Sequence, residues 1–277
     1  MSTAAPTELI IEAGHTERNY WRDLFRYREL FYFLAWRDVL VRYKQTVIGI
    51  LWAVLRPLLT MIVFTFVFSR IAKLPSGGIP YPVLVFSAML PWQLFATSLS
   101  EGSGSLINNA NLISKVYFPR LIVPASAVIV SFVDFSISMV LLGVIMAIYQ
   151  VWPGWPVLML PVFTLLALLA SAGAGIWLAA LNVKYRDFRY VVPFIVQFGL
   201  YISPVGFSSA IVPEKWRLLY DFNPMVGVID GFRWAISNGR SAFPQQSLAL
   251  SLLTIAVLLV SGIWYFRKTE RTFADVI

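Results

Sequence analysis

Apolar residues run through this chain in long blocks, with polar and charged residues gathered between them. A hydrocarbon core about 30 Å thick takes roughly 20 helical residues to cross. Six blocks meet or approach that length, at about 48–69, 81–99, 121–149, 157–181, 191–212 and 248–266. The pattern predicts an all-α integral membrane protein with six transmembrane helices.

The segment 20–45, ahead of the first block, has a different rhythm. Arg22, Arg26, Glu29, Arg37 and Lys44 recur on one side of a helical projection, and Leu24, Phe31, Ala35 and Val39 on the other. Such spacing suits an amphipathic interface helix lying in the headgroup layer; packing of its aromatic face on neighbouring helices is the other outcome the pattern allows. At 42–59, RYKQTVIGILWAVLRPLL, this surface segment runs directly into the first block.

A second irregularity lies late in the chain. Residues 224–236, PMVGVIDGFRWAI, are apolar but only about two-thirds of a span, which favours a re-entrant helix. Pro204 and Gly206 break the fifth block near its end. Non-helical backbone at membrane depth survives only where protein or a water-filled cavity satisfies it, so these breaks suggest a pathway for a polar solute.

Composition agrees with this reading: 58% of the 277 residues are hydrophobic and 13% charged, against roughly 25% charged in soluble domains. There is no Cys, and His15 is the only histidine, which leaves no basis for disulfide, thiol or histidine–metal chemistry. Residues 1–19 read as a polar cytosolic leader, because Glu8, Glu12 and Glu17 interrupt anything resembling a signal peptide. With that leader inside, most of the 22 Lys and Arg residues fall on the cytosolic side, including those of the tail 267–277. The exceptions are Arg56 within the first block and the external Arg70, Lys73, Lys215, Arg217, Arg233 and Arg240. The positive-inside rule therefore predicts both termini in the cytosol.

Several polar features carry candidate chemistry. No GxxxxGK[ST] phosphate loop is present, so any ATP-driven work needs a second polypeptide. The loop 102–120, GSGSLINNANLISKVYFPR, places Leu112, Ile113, Val116 and Tyr117 on one apolar edge, which favours a docking surface for a partner over a helix-entry turn ending in Pro119 with Lys115 and Arg120 as anchors. The basic loop 182–194 holds Lys184, Arg186 and Arg189, which topology anchoring alone explains. Tyr190, Phe194, Phe198 and Tyr201, with Gln197 beside them, form an aromatic stripe at helical spacing. Such a stripe suits sugar rings sliding over it, and equally suits lipid contact or helix packing. Arg56 and Asp134 are charges inside spans; they either pair with each other, or Arg56 faces a passing phosphate or diphosphate. Glu214, Asp221 and Asp230 have no spacing that singles out an acid/base pair or a metal site.

Four ordered segments resemble the permease subunits of ABC-2 type transporters that export polysaccharides or polyol phosphates, as in O-antigen, capsule and teichoic acid export. They are RYKQTVIGILWAVLRPL at 42–58, SLINNANLISKVYFPRLIVP at 105–124, NVKYRDFRYVVPFIVQFGLYISPVGF at 182–207 and NPMVGVIDGFRWAI at 223–236. The resemblance implies an ABC-2 transmembrane domain over 46–266, with two short re-entrant helices near 205–212 and 224–236. It implies two copies of the permease paired with two ATPase subunits in a bacterial inner membrane, with ATP and Mg bound on the ATPases and no cofactor on this chain. Asn108, Leu112, Ile113, Lys115 and Tyr117 would then correspond to a coupling helix, and Lys184, Arg186 and Asp187 to a second ATPase contact. Trp52, Arg56, Phe194, Gln197, Phe198 and Tyr201 would border a channel, with Arg42 and Lys44 meeting a lipid headgroup at its entry. Phe207 stands where the family often has tyrosine.

The resemblance therefore implies export of a lipid-linked polysaccharide, most readily O-antigen, with no catalysis on this chain and no nucleic-acid partner. The alternatives are export of capsule, teichoic acid or small hydrophobic compounds and, more remotely, a membrane enzyme acting on a lipid-linked sugar.

Overall fold

The computed structural model describes residues 20–44 and 49–273. The expected leader 1–19, the turn 45–48 and the tail end 274–277 lie outside the described residues.

The described chain is helical throughout. It begins with α1 (Tyr20–Arg26) and α2 (Arg28–Lys44), then α3 (Gly49–Thr65), which a π-helical turn, Phe66–Ile71, prolongs. Next come α4 (Tyr81–Asn108), the single turn α5 (Ala110–Ile113), α6 (Ile122–Ile148) and, after a 3-10 turn, α7 (Leu160–Lys184). The chain closes with α8 (Phe188–Ile202), α9 (Glu214–Asp221), α10 (Pro224–Ile236) and α11 (Gln245–Thr269), the last followed by the 3-10 turn Glu270–Thr272.

Five of these, at 51–71, 81–108, 122–148, 155–184 and 245–272, are long and apolar enough to cross a bilayer. The fifth expected crossing is represented by α8, 15 residues long, which at 1.5 Å per residue extends only about 22 Å. It ends earlier than the block 191–212 predicts. Ser203 is extended, as the residue before a proline prefers to be, and Pro204 follows. The helix expected near 205–212 is correspondingly absent: a turn occupies 203–208 and a 3-10 turn Ser209–Ile211, and the short helix forms only after Pro213, as α9.

α4 is the mast of the fold. It is the most buried of the five long helices and packs on α3, α6, α7, α8 and α10. α7 carries α11 on its other side. There a Cβ built on Gly262 would come within 2.5 Å of the Gly173 carbonyl oxygen, so two glycines let the backbones meet, the small-residue contact that replaces a hydrophobic drive inside lipid. α10 is buried among α4, α7 and α11. The Asn223 side chain caps it by accepting from the Met225 N–H at 3.0 Å and donates to the Ser203 hydroxyl at 2.9 Å, tying α10 to the end of α8.

The interface segment is helical as expected, with one interruption at Tyr27. Its expected apolar face packs inward, Ala35 included, and one charge is displaced from the other side. Leu24, Leu30, Phe31 and Leu34 turn inward, and Arg37 joins them by donating to Asn109 Oδ1 at 2.8 Å rather than lying on the outer charged side. The outer face carries Trp21, Phe25, Tyr32, Phe33 and Trp36 beside Arg22, Arg26 and Glu29. Both faces are therefore partly apolar, and only the inner one packs on the protein.

Candidate functional site

α3 enters the bundle beside α4 and α6, and a cavity of about 320 Å³ opens between them. Trp52 and Arg56, one turn apart on α3, line it with Arg42 from α2, Gln93 and Thr97 from α4, and Ser131, Asp134 and Ser138 from α6. Pro57 has no N–H to offer the Ala53 carbonyl, and both residues also line the cavity. The Ser131 hydroxyl is fully buried and has no hydrogen-bond partner among the described residues. A second cavity of about 510 Å³ lies against Arg37, Arg42, Glu101, Asn108 and Asn109. Arg42 borders both, so polar surface continues from the end of α4 to the middle of the bundle.

The two intramembrane charges do not share an ion pair. Asp134 instead accepts from Arg42, whose Nη2 lies 2.9 Å from Oδ2, while the Tyr43 hydroxyl donates to Oδ1. Arg42 also reaches Glu101 Oε1 at 3.3 Å. Burial, and then the hydrogen bond to Asp134, push the Tyr43 hydroxyl well above its ordinary value of 10.0. Arg42, expected at a headgroup entry, is thus also the strut that joins α2 to α4 and α6. Lys44 is exposed two residues further on. The Arg56 guanidinium is exposed and has no ion pair among the described residues.

Phe194, Gln197, Phe198 and Tyr201 all lie on the exposed side of α8. The Phe194 and Phe198 rings approach to 4.2 Å between centroids. None of the four lines the cavity that holds Trp52 and Arg56, so in one chain the expected channel residues occupy two separate walls flanking α4.

The two loops expected to meet an ATPase lie at one end of the molecule, since the Asn182 amide donates to the Ser103 carbonyl at 3.0 Å, fixing the end of α7 beside α4. Lys184, Arg186 and Asp187 are exposed in the turn that follows. Asn108, Lys115, Val116 and Tyr117 are exposed, whereas Ile113 is 3% exposed and Leu112 half-buried. The apolar edge of that loop is therefore divided: its first two members pack into the protein and its last two face outward.

At the far end, α10 anchors the broken segment after α8. The buried Arg233 donates from Nη1 to the Phe207 carbonyl at 2.6 Å and from Nη2 to the Val205 carbonyl at 3.0 Å. The Tyr81 hydroxyl donates to the Gly206 carbonyl between them at 2.8 Å. Side chains thus supply the bonds that the non-helical backbone lacks, as burial requires.

Not among the expected site residues are Gln93, Thr97 and Glu101. Their spacing of four residues was the available signal, because it places all three on one face of α4.

Residues 29–237 match the family model described as ABC-2 type transporter. The chain belongs to that family. It is 30% identical over 259 residues to the O-antigen export system permease protein RfbA of Myxococcus xanthus, covering 92% of this chain and 98% of the relative. It is 28% identical over 243 residues to the Klebsiella pneumoniae protein of the same name, covering 87% and 92%. The Polysialic acid transport protein KpsM of Escherichia coli is 20% identical over 236 residues, covering 85% of this chain and 91% of the relative. This ABC-2 protein is accordingly a multi-pass membrane permease subunit rather than an enzyme, and its family implies an ATPase partner.

Proposed function

We propose that this permease exports a lipid-linked polysaccharide, O-antigen in the first instance, across the bacterial inner membrane. Two copies pair with two ATPase subunits that bind ATP and Mg, and both termini lie in the cytosol. The observation that carries the reading is the exposed aromatic stripe Phe194, Phe198 and Tyr201 on α8, in a chain whose relatives along most of its length are named for O-antigen export. Aromatic faces hold sugar rings by their C–H surfaces without fixing one register, which a moving polymer needs.

In this reading α8 makes the fifth of six crossings together with the segment after it, α11 makes the sixth, and α9 and α10 are re-entrant elements at the external mouth. The second copy brings the stripe of α8 and the Trp52–Arg56 face of α3 to a common channel. Lys44 and Arg42 meet the lipid diphosphate at the cytosolic leaflet, and Arg56, with no carboxylate partner among the described residues, receives it at membrane depth. The exposed residues of 108–117 and 184–187 take the push of the ATPase.

The test is reconstitution of the permease with its ATPase in liposomes supplied with polyprenyl-diphosphate-linked O-polysaccharide. ATP-dependent appearance of polymer on the other side is expected. Polymer movement by the permease alone, or a complex that hydrolyses ATP and leaves the polymer where it was, overturns the reading.

A further inference from the structure

The last helix ends in a knot of three segments that are far apart in sequence. Glu270, the first residue after α11, accepts at Oε1 from the Arg120 backbone N–H at 2.8 Å and from the Tyr20 hydroxyl at 3.4 Å. The Arg120 guanidinium also donates to the Glu270 carbonyl. One turn back, the Arg267 guanidinium lies 4.6 Å over the Tyr20 ring, a cation–π contact that holds the start of the interface helix against α11. Phe273 is 1% exposed and meets Phe266 edge to face at 5.2 Å. Both belong to one apolar cluster with Leu34 of α2, Leu106 of α4, and Ile113 and Phe118 of the coupling loop.

A carboxylate at the end of the last helix is the shared acceptor for the exit of the coupling loop and the first residue of the interface helix. Apolar packing alone lets helices slide, whereas the 2.8 Å bond from the Arg120 N–H to a charged acceptor is directional and about twice as strong as a neutral one; the 3.4 Å contact from Tyr20 is the weaker tie. The interface helix is tied at three points along its length: Tyr20 to Glu270, Arg37 to Asn109 beside the coupling turn, and Arg42 to Asp134 and Glu101.

We propose that Glu270 and Phe273 form a C-terminal clamp that makes the coupling loop, the interface helix and α11 move as one body when the ATPase acts. Glu270 is the positioning residue, holding the Arg120 flank of the loop against Tyr20. The clamp rests on the reading of 108–117 as the ATPase contact. Displacement of that loop then shifts the interface helix, and with it the entry at Arg42, in the same step.

Because the chain has no cysteine, the substitutions Arg22→Cys and Ala125→Cys, the latter just past Arg120 and outside the 108–117 contact, give a spin-label pair across the clamp. Their distance distribution is read in the full permease–ATPase complex, with and without trapped ATP, alongside polymer exported per ATP hydrolysed. A narrow distribution is expected in both states of the otherwise unaltered complex. Glu270→Ala should broaden it and lower the export ratio by about five- to tenfold, the scale of a coupling residue. Glu270→Gln, which keeps an acceptor for the Arg120 N–H but loses the charge, should restore about half of both. Should Glu270→Ala not assemble, Tyr20→Phe removes one bond to the same carboxylate and is expected to shift both readouts the same way. Unchanged label distances and export ratio in whichever variant assembles overturn the clamp, as does Gln behaving like Ala. A complex that hydrolyses ATP without exporting polymer defeats the export reading, while the label distances still decide the clamp.

Discussion

The Arg42 guanidinium stands 2.9 Å from the Asp134 carboxylate, joining the interface helix to the middle of a transmembrane helix. Both side chains line the cavity and remain partly exposed, 37% and 22%, and a pair so incompletely buried is expected to couple by about 1 kcal/mol. A double-mutant cycle of Arg42→Ala and Asp134→Ala in detergent-solubilised protein measures it. Exchanging the two residues separates pairing from ligand binding: the exchanged protein recovers thermal stability, and export stays low if Arg42 also meets an anionic headgroup.

Tyr43 contributes to the same junction with an opposite pH signature. Its hydroxyl is held above the ordinary 10.0 by burial and by the bond to Asp134, so the folded state keeps that proton more tightly than the unfolded chain. The stabilisation is complete below pH 10.0 and is lost as pH climbs from there through the raised folded value. Unfolding midpoints of the wild type and Tyr43→Phe should therefore converge as pH rises above that point, the variant being less stable below it.

Arg233 holds the Val205 and Phe207 carbonyls from inside the bundle. Arg233→Met removes both bonds and leaves the half-buried Asp230 without the cation 3.9 Å away. A loss of about 3–5 kcal/mol is expected, as when one member of a buried pair is removed. Lysine should not rescue it, since a single ammonium cannot reproduce the guanidinium fork. Thermal unfolding of the three proteins checks both statements.

Gly262 faces the Gly173 carbonyl across the α7–α11 contact. Gly262→Ala places a methyl where 2.5 Å is available, and separating two backbones costs about 1–3 kcal/mol. The melting temperature should fall while helix content by circular dichroism is unchanged.

Arg56→Leu addresses the membrane-depth charge. Insertion and assembly should be normal, because the substitution makes α3 more apolar, whereas export should fall by about tenfold if the guanidinium meets a diphosphate at membrane depth. Normal export by an inserted variant removes Arg56 from the pathway.

The long apolar helices and the aromatic stripe of α8 were legible from the chain alone, because hydrocarbon forces backbone bonds to be made within each segment and a 3.6-residue period assigns each side chain to a face. The break after α8 was also legible, since Pro204 dictates it locally; the position of the helix beyond it was not, because Pro213 and the carbonyls taken by Arg233 moved it to Glu214–Asp221. Which face meets which neighbour was decided only in three dimensions. Asp134 took Arg42 and Tyr43 rather than Arg56, Ile113 turned into the protein while Val116 and Tyr117 stayed outside, and Glu270 became the meeting point of Tyr20 and Arg120. A side chain's period along one helix specifies its direction from that helix's own axis, but its partner depends on how helices distant in sequence cross, and that is set by packing the whole bundle at once.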